Sequence, residues 1–281
     1  MLSKVSTRKK LLKALLYLTL FIGLAYTLFP IVWMVSCAFK QNTEIFTVPQ
    51  KIIPRVPTLD AFKAVFSDPV KIRYFLNSYL VAFVTTGITI VFAILTGYAF
   101  SRYNFRLKKP LNSFIILTQS IPPITLLIPY FGLVVSIGLY NTYWAMIVTY
   151  LVFTLPYATI MITGYINTLP KELDEAVSID GGSTWCALWK VLVPISKPGL
   201  VATGIYTFLQ CWNEYLFALC LTKGREMRTV PVGIQLLMGQ ITYSWNEMMA
   251  MSILGSVPII IIFLFAQKYF IAGLSAGAVK S

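Results

Sequence analysis

Residues 167–198 read NTLPKELDEAVSIDGGSTWCALWKVLVPISKP, the longest non-hydrophobic stretch in the second half of a 281-residue chain. Four of the ten acidic residues fall in it, Glu172, Asp174, Glu175 and Asp180, and no run within it is long enough to cross a bilayer. Its pattern predicts two short helices meeting at a corner. Thr168 is an N-cap candidate with Pro170 in the first turn, and acids crowd that turn, where the helix dipole favours negative charge. Apolar Leu169, Leu173, Ala176 and Val177 recur at helical spacing. Gly181 and Gly182 stop the helix, because a left-handed terminal residue costs glycine little. Ser183 or Thr184 can cap a second helix whose Trp185, Leu188, Trp189 and Leu192 form one apolar stripe, and Pro194 ends it.

Everything around this corner is built to cross a membrane. Hydrophobic residues make up 57% of the chain and charged residues 12%, and the mean hydropathy is +0.75. These values lie outside the soluble globular range. The length accommodates about six spanning helices of roughly 20 residues with short connections. The expected fold is therefore all-α, a polytopic membrane protein with one membrane domain. The net charge of +13 fits orientation against a membrane, and no nucleic-acid partner is expected, since no basic cluster is interleaved with exposed aromatics. Cys37, Cys186, Cys211 and Cys220 have neither metal nor redox spacing and there is no histidine, so no disulfide and no metal site is expected. The chain carries no GxxxxGK(S/T), hence no P-loop of its own; any ATP would be hydrolysed by a partner. No catalytic residue and no cofactor bound by this chain are expected.

In chain order, residues 1–13 are basic and form a cytoplasmic segment, followed by a first span over about 14–39 that is too long for a signal peptide. Residues 40–74 are a polar connection with charges of both signs, placed outside the cytoplasm. A second span, about 75–100, runs into Arg102, Arg106, Lys108 and Lys109 with no acid among them, the clearest cytoplasmic marker in the chain. The third span, about 113–135, holds Gln119, Ser120, Pro122, Pro123 and Pro129, which predicts a kinked, partly polar helix lining a cavity. The fourth covers about 142–165, with Tyr143 and Trp144 at interface depth, and returns the chain to the cytoplasm before the corner at 168–197.

The fifth span, about 198–221, contains Asn213 and Glu214. A carboxylate in a spanning helix costs about 2.5–3.5 kcal/mol on insertion scales, so it faces a polar cavity or a partner. Asn213 and Glu214 are candidates for a translocation path or gate, with Gln119, Ser120 and Pro122; a hydrogen-bonded pair between helices is the structural alternative. Residues 222–248 form an outer loop, a sixth span covers about 249–270, and a short tail ends in the cytoplasm.

Glu175-Ala176-Val177, Gly181, Val191 and Val193-Pro194 resemble the EAA motif of bacterial ABC importer permeases at every spacing, with Val in place of the second Ala, the Ile and the Leu. Gly97 to Tyr103, Ile121-Pro122-Pro123, Leu139 to Trp144, Leu169 to Glu175, Trp212 to Tyr215, Arg228 to Gly233 and Gly273 to Lys280 are similar, in this order, to carbohydrate-uptake permeases of the six-span maltose type. Gly182 departs from that family, which often has Ala there, as does the terminal Ser281. The resemblance implies a type I importer permease fold in a bacterial inner membrane, with both termini cytoplasmic. It implies a second, homologous permease, a dimer of ABC ATPases carrying ATP and Mg, an extracytoplasmic sugar-binding protein and a sugar substrate. It also implies that the corner is a coupling helix docked on the ATPase, through Glu172, Glu175, Ala176, Val177, Asp180, Gly181, Gly182 and Pro194. Glu175 and its acidic neighbours would meet basic groups there, Gly181 would bend where a side chain would interfere, and Trp185 and Trp189 would pack under the spans.

Two other readings compete. A permease for a polyol or glycerol phosphate would share all these features. An intramembrane enzyme would need ionisable groups converging at one membrane face, and only one clear intramembrane carboxylate is present.

Overall fold

The structure, a computed structural model, describes residues 2–239 and 244–278. Every regular element among them is helical: α1 (Leu2–Ala38), α2 (Asn42–Ile45), α3 (Asp60–Phe66), α4 (Pro69–Arg102), α5 (Lys108–Gln119), a 3-10 turn (Pro123–Leu126), α6 (Leu127–Ser136), α7 (Tyr143–Asn167), α8 (Glu172–Ile179), α9 (Thr184–Cys186), a π turn (Ala187–Leu192), α10 (Val193–Ile195), α11 (Lys197–Asn213), α12 (Leu216–Leu221), a second 3-10 turn (Arg225–Met227), α13 (Val230–Leu236) and α14 (Trp245–Ala278). Residues 240–243 of the expected outer loop and 279–281 of the expected tail lie outside the described residues. Contacts divide the chain into two compact units, residues 1–68 with 236–254 and residues 69–235 with 255–281.

In the first unit, the basic segment and the first expected span are one helix. No residue in the most apolar window of α1 is buried within the protein, so lipid or another chain must cover it. Beyond α1 the chain folds back through polar groups. Lys40 is buried, with its ammonium 4.7 Å from the centre of the Trp33 ring and donating to the Lys51 carbonyl. The Asn42 side chain accepts from the Trp245 backbone N–H (3.0 Å), and Phe46 meets the Trp245 ring edge-on. The expected polar connection is therefore an ordered substructure, with α2 and α3 in it.

The second unit is built on α4 and α7, with α11 against both. Small and hydroxylated side chains let the two long helices approach closely. Thr89 pairs with Thr154 and Thr96 with Thr159, each at 3.0 Å, and a Cβ on Gly97 would stand 2.9 Å from Ile162 Cγ2 and 3.1 Å from the Thr163 nitrogen. At 34 residues, α4 runs on past the expected 75–100 at both ends. At one end Asn77 donates to the carbonyls of Glu226 (2.7 Å) and Arg228 (2.8 Å) and accepts from the Tyr143 hydroxyl (2.8 Å). Arg228 in turn donates to the carbonyls that close α12.

Among the described residues, four helices are long and apolar enough to cross a membrane: Lys10–Ala38, α4, α7 and Trp245–Gln267. Two bent pairs raise the number to as many as six if each counts as one span: α5 with Pro123–Ser136, bent by 95°, and Thr184–Ile195 with α11, bent by 77°. The expected third span is thus broken where a kink was predicted. Successive prolines at 122 and 123 remove two donors and drive the preceding residues to extended backbone, with Pro122 at φ −60° and ψ 127°. The expected fifth span is interrupted as well. Glu214 is extended (φ −69°, ψ 126°) and separates α11 from α12. The last helix continues as far as Ala278, through the expected sixth span and most of the tail.

Candidate functional site

The corner between α7 and α11 forms from local signals, with its start displaced from the expected one. Helix α7 continues to Asn167, and Thr168 follows it instead of capping the next helix; its hydroxyl donates back to the Tyr165 carbonyl (2.7 Å). Helix α8 begins at Glu172 with Glu172, Asp174 and Glu175 in its first turn, where orphan N–H groups favour negative charge. It ends in a Schellman motif. Gly181 takes φ +77°, the Gly182 N–H reaches the Val177 carbonyl (2.8 Å), and the Gly181 N–H reaches that of Ser178 (3.1 Å).

The steric expectation for Gly181 is corrected here. A Cβ on Gly181 would meet nothing within 4 Å, so the residue is needed for its backbone angle alone. Gly182 is the crowded one: its Cβ would lie 2.5 Å from Val177 Cγ1 and 2.9 Å from the Val177 oxygen.

Ser183 caps the second limb, accepting from the Cys186 N–H (3.3 Å). That limb does not stop at Pro194. A π turn over Ala187–Leu192 precedes the proline, which sits at the start of α10 where its missing N–H costs least. The wider turn also divides the expected apolar stripe. Ala187, Leu188 and Leu192 are buried, and the two leucines pack on Ala93, Ile94 and Tyr98 of α4 and on Ala158, Ile162 and Ile166 of α7. Trp185 and Trp189 stay outside, 61% and 41% exposed, so they do not pack under the long helices.

The acids divide in the same way. Asp174 is turned inward: its carboxylate accepts from Arg102 Nε (2.8 Å) and the Tyr98 hydroxyl (2.9 Å), and the Arg102 and Asp174 side chains are only 6% and 19% exposed. The Arg102 guanidinium also donates to the carbonyls of Leu169 and Pro170, both at 3.2 Å, and to that of Ile166 at 3.5 Å. Glu172, Glu175, Ala176 and Asp180 are exposed, Val177 and Gly182 are half-buried, and Ile179 stands 86% exposed beside them.

The second candidate region is a cavity of about 360 Å³ lined by Pro123, Ile124, Tyr150, Thr154, Gln210 and Glu214, with aromatic and aliphatic neighbours. Glu214 is anchored at its wall. Its carboxylate accepts from the Tyr150 hydroxyl (2.7 Å) and from the backbone N–H groups of Phe217 (2.8 Å) and Ala218 (2.9 Å). In a continuous helix those two N–H groups would serve the carbonyls of Asn213 and Glu214; the side chain takes them instead, and the helix breaks. Asn213 is exposed outside the cavity. Gln119, Ser120 and Pro122 are exposed at the α5 break, whereas Pro123 and Ile124, the next two residues, reach the cavity.

Residues 89–275 match the family described as binding-protein-dependent transport system inner membrane component. The chain belongs to that family. It is a multi-pass membrane transport component, a permease subunit and not an enzyme. It is 34% identical to the sulfoquinovosyl glycerol transport system permease protein SmoH of Agrobacterium fabrum, over 95% of this chain and 94% of that one. It is 35% identical to the trehalose/maltose transport system permease protein MalG of Thermococcus litoralis, over 90% and 91%. In fold it is similar to a chain of a bacterial ABC transporter involved in the import of the acidic polysaccharide alginate, with a TM-score of 0.82 at 20% identity, covering 93% of this chain and 97% of that one.

For this permease subunit, three functional side chains escape a reading of the sequence. Arg102 reads as a marker of the cytoplasmic face and Asp174 as one acid among four, yet each is the other's partner. Asp174 does lie beside Leu173 and Val177 on the helical wheel, so its inward turn had a weak signal. Tyr150, the hydroxyl that holds Glu214, had none.

Proposed function

We propose that this permease forms half of the translocation pathway of an ATP-driven, binding-protein-dependent importer of a sugar, in particular an oligosaccharide. It would sit in a bacterial inner membrane with six spans and both termini cytoplasmic. A homologous permease would supply the other half, and a dimer of ABC ATPases, carrying ATP and Mg, would dock on the corner at 168–197. An extracytoplasmic binding protein would deliver the sugar. The names of the relatives support the sugar class. The observation that carries the docking assignment is the outward face of the corner, where Ile179 and Trp185 are exposed among Glu172, Glu175 and Asp180 on a loop otherwise fastened down. Closure of the ATPase dimer on ATP pushes this loop, and the spans rearrange between two states, each favoured by a different ligand. The cavity beside Glu214 is the stretch of pathway this chain contributes, with Gln210 and Thr154 as its polar groups and the α5 break as its rim.

The test is a pull-down from detergent-solubilised, cross-linked native membranes with a tag on this chain, comparing wild type with Gly181→Asp. The expected result is recovery of a second permease and a P-loop ATPase with wild type, and depletion of the ATPase with the variant. Recovery of wild type alone overturns the reading.

A further inference from the structure

Several polar groups on this permease are used for neither docking nor the pathway, and the largest such group joins the end of α4 to the docking corner. Arg102 occupies the last turn of α4, in the second unit together with all its partners. Its guanidinium meets the carboxylate of Asp174 in the first turn of α8 and the carbonyls of Ile166, Leu169 and Pro170, where α7 ends. The charges suit these places: a cation lies at the carbonyl ends of α4 and α7, and an anion at the amide end of α8. Tyr98, one turn earlier on α4, holds the second carboxylate oxygen. Beside it on α4, the Ser101 hydroxyl donates to the side-chain oxygen of Asn167 (2.7 Å). The second limb of the corner is held independently, by Leu188 and Leu192 in the α4–α7 core. Both limbs are therefore fastened to the same pair of helices, one by a nearly dry ion pair with three further acceptors, the other by apolar packing. Helix α11 leaves the corner at a bend of 77° just after Ser196, and there only apolar packing, Leu200 on the edge of the same cluster, and a backbone bond from Leu200 to Ser196 continue the chain.

From this we infer that Arg102 is a positioning residue for energy coupling: it makes the docking corner, α4 and α7 one rigid body, so that force applied by the ATPase moves α4 and α7 with the corner and the bending occurs elsewhere. The inference rests on the importer reading. A lysine could keep the charge at position 102 and one contact to Asp174, but a single ammonium cannot also reach three carbonyls in a planar fork. The loop would then give under load before α4 moved.

The experiment uses the full transporter in proteoliposomes and measures sugar uptake and ATP hydrolysis together. A merely structural defect lowers both in proportion. Loss of positioning lowers uptake per ATP, and for Arg102→Lys and Asp174→Asn that ratio is expected to fall about fivefold or more, as for loss of a coupling between distant sites. An unchanged ratio overturns the inference. A second arm does not depend on weakening the joint. Ser101→Cys and Asn167→Cys are combined in a chain whose four native cysteines are replaced by alanine, then oxidised or bridged by a short bifunctional thiol reagent. A cross-link across a rigid body leaves uptake intact, and arrest of uptake overturns the inference even if the Arg102 variants fail to accumulate. A wild-type complex whose ATP hydrolysis is indifferent to sugar and binding protein fails at an earlier step: it overturns the importer reading, and this inference with it.

Discussion

Gly182→Ala is the most exacting test of the corner's geometry. The new Cβ would lie 2.5 Å from Val177 Cγ1, 2.9 Å from the Val177 carbonyl oxygen and 3.6 Å from Cys186 Cβ. The first distance is a hard overlap, and the second involves the acceptor of the Schellman bond that closes α8. Overpacking of this kind costs about 1–3 kcal/mol. Because the strain falls on a local closure, it speeds opening of the 177–182 turn by about 5- to 150-fold. Val177→Ala alone removes two half-buried methyl groups and costs about 1 kcal/mol. In the double variant the 2.5 Å overlap is gone, but the 2.9 Å approach to the Val177 carbonyl oxygen is to backbone and still forces the turn to shift. The two changes should therefore offset each other in part, with a coupling energy of about 1 kcal/mol. The family motif often has Ala at both positions, and the Val177–Gly182 combination here reads as the same space divided differently. The assay is hydrogen exchange on peptides spanning 177–186 in the purified complex, corrected for intrinsic rates. Protection in Gly182→Ala within twofold of wild type would refute the reasoning, as would a double variant that exchanges as fast as Gly182→Ala.

Three further outcomes follow from the same structure. Gly181→Ala meets no neighbour but is held at φ +77°, so it should cost about 1–2 kcal/mol in thermal stability of the complex; Gly181→Asp, which adds charge to the docking face, should abolish sugar-stimulated ATP hydrolysis while the chain remains inserted. Glu214→Ala leaves a hydroxyl and two backbone N–H groups without their acceptor, at about 1–3 kcal/mol for each unmet group, and should cut the amount of folded permease recovered from membranes. Tyr150→Phe removes one of those bonds and should be milder, and equal losses from the two would refute the assigned network. Gly97→Ala places a Cβ 2.9 Å from Ile162 Cγ2 and should lower the melting temperature of the complex, whereas Gly87→Ala, with nothing within 4 Å, should not.

What the sequence made legible, and what it did not, divides by range. The glycine turn and the Ser183 cap follow from signals within a few residues and form where those signals place them, whereas the first corner helix starts later, at Glu172, and the second limb runs on past Pro194. Thr168 was misplaced because α7 runs on to Asn167, and the hydroxyl donates back to the Tyr165 carbonyl instead of accepting from an N–H ahead of it. Trp185 and Trp189 were placed inside because the stripe assumed a constant period, which the π turn changes. Glu214 stood out as a carboxylate in an apolar run, and its capture of two backbone N–H groups is local, but the hydroxyl that completes its partners comes from Tyr150, 64 residues away. The Arg102–Asp174 pair bridges 72 residues. Periodicity carries no information at that distance, so one partner looks like a topological marker and the other like part of an acidic face.

Helix α4 has a length that matters for more than crossing lipid. Hydrogen-bonded fittings hold it at Asn77 and again at Arg102, about 37 Å apart at 1.5 Å per residue. Between them it packs along α7 with no proline and no break. A rod of that length converts angle into displacement: a tilt of about 5° about one fitting carries the other through about 3 Å, as far as one hydrogen bond is long. The turn at Glu226–Arg228, tied to Asn77, would have to follow or let go. The gearing of such a device is set by residue count: because both fittings hold α4 to the one helix α7, the number of residues between them fixes the throw.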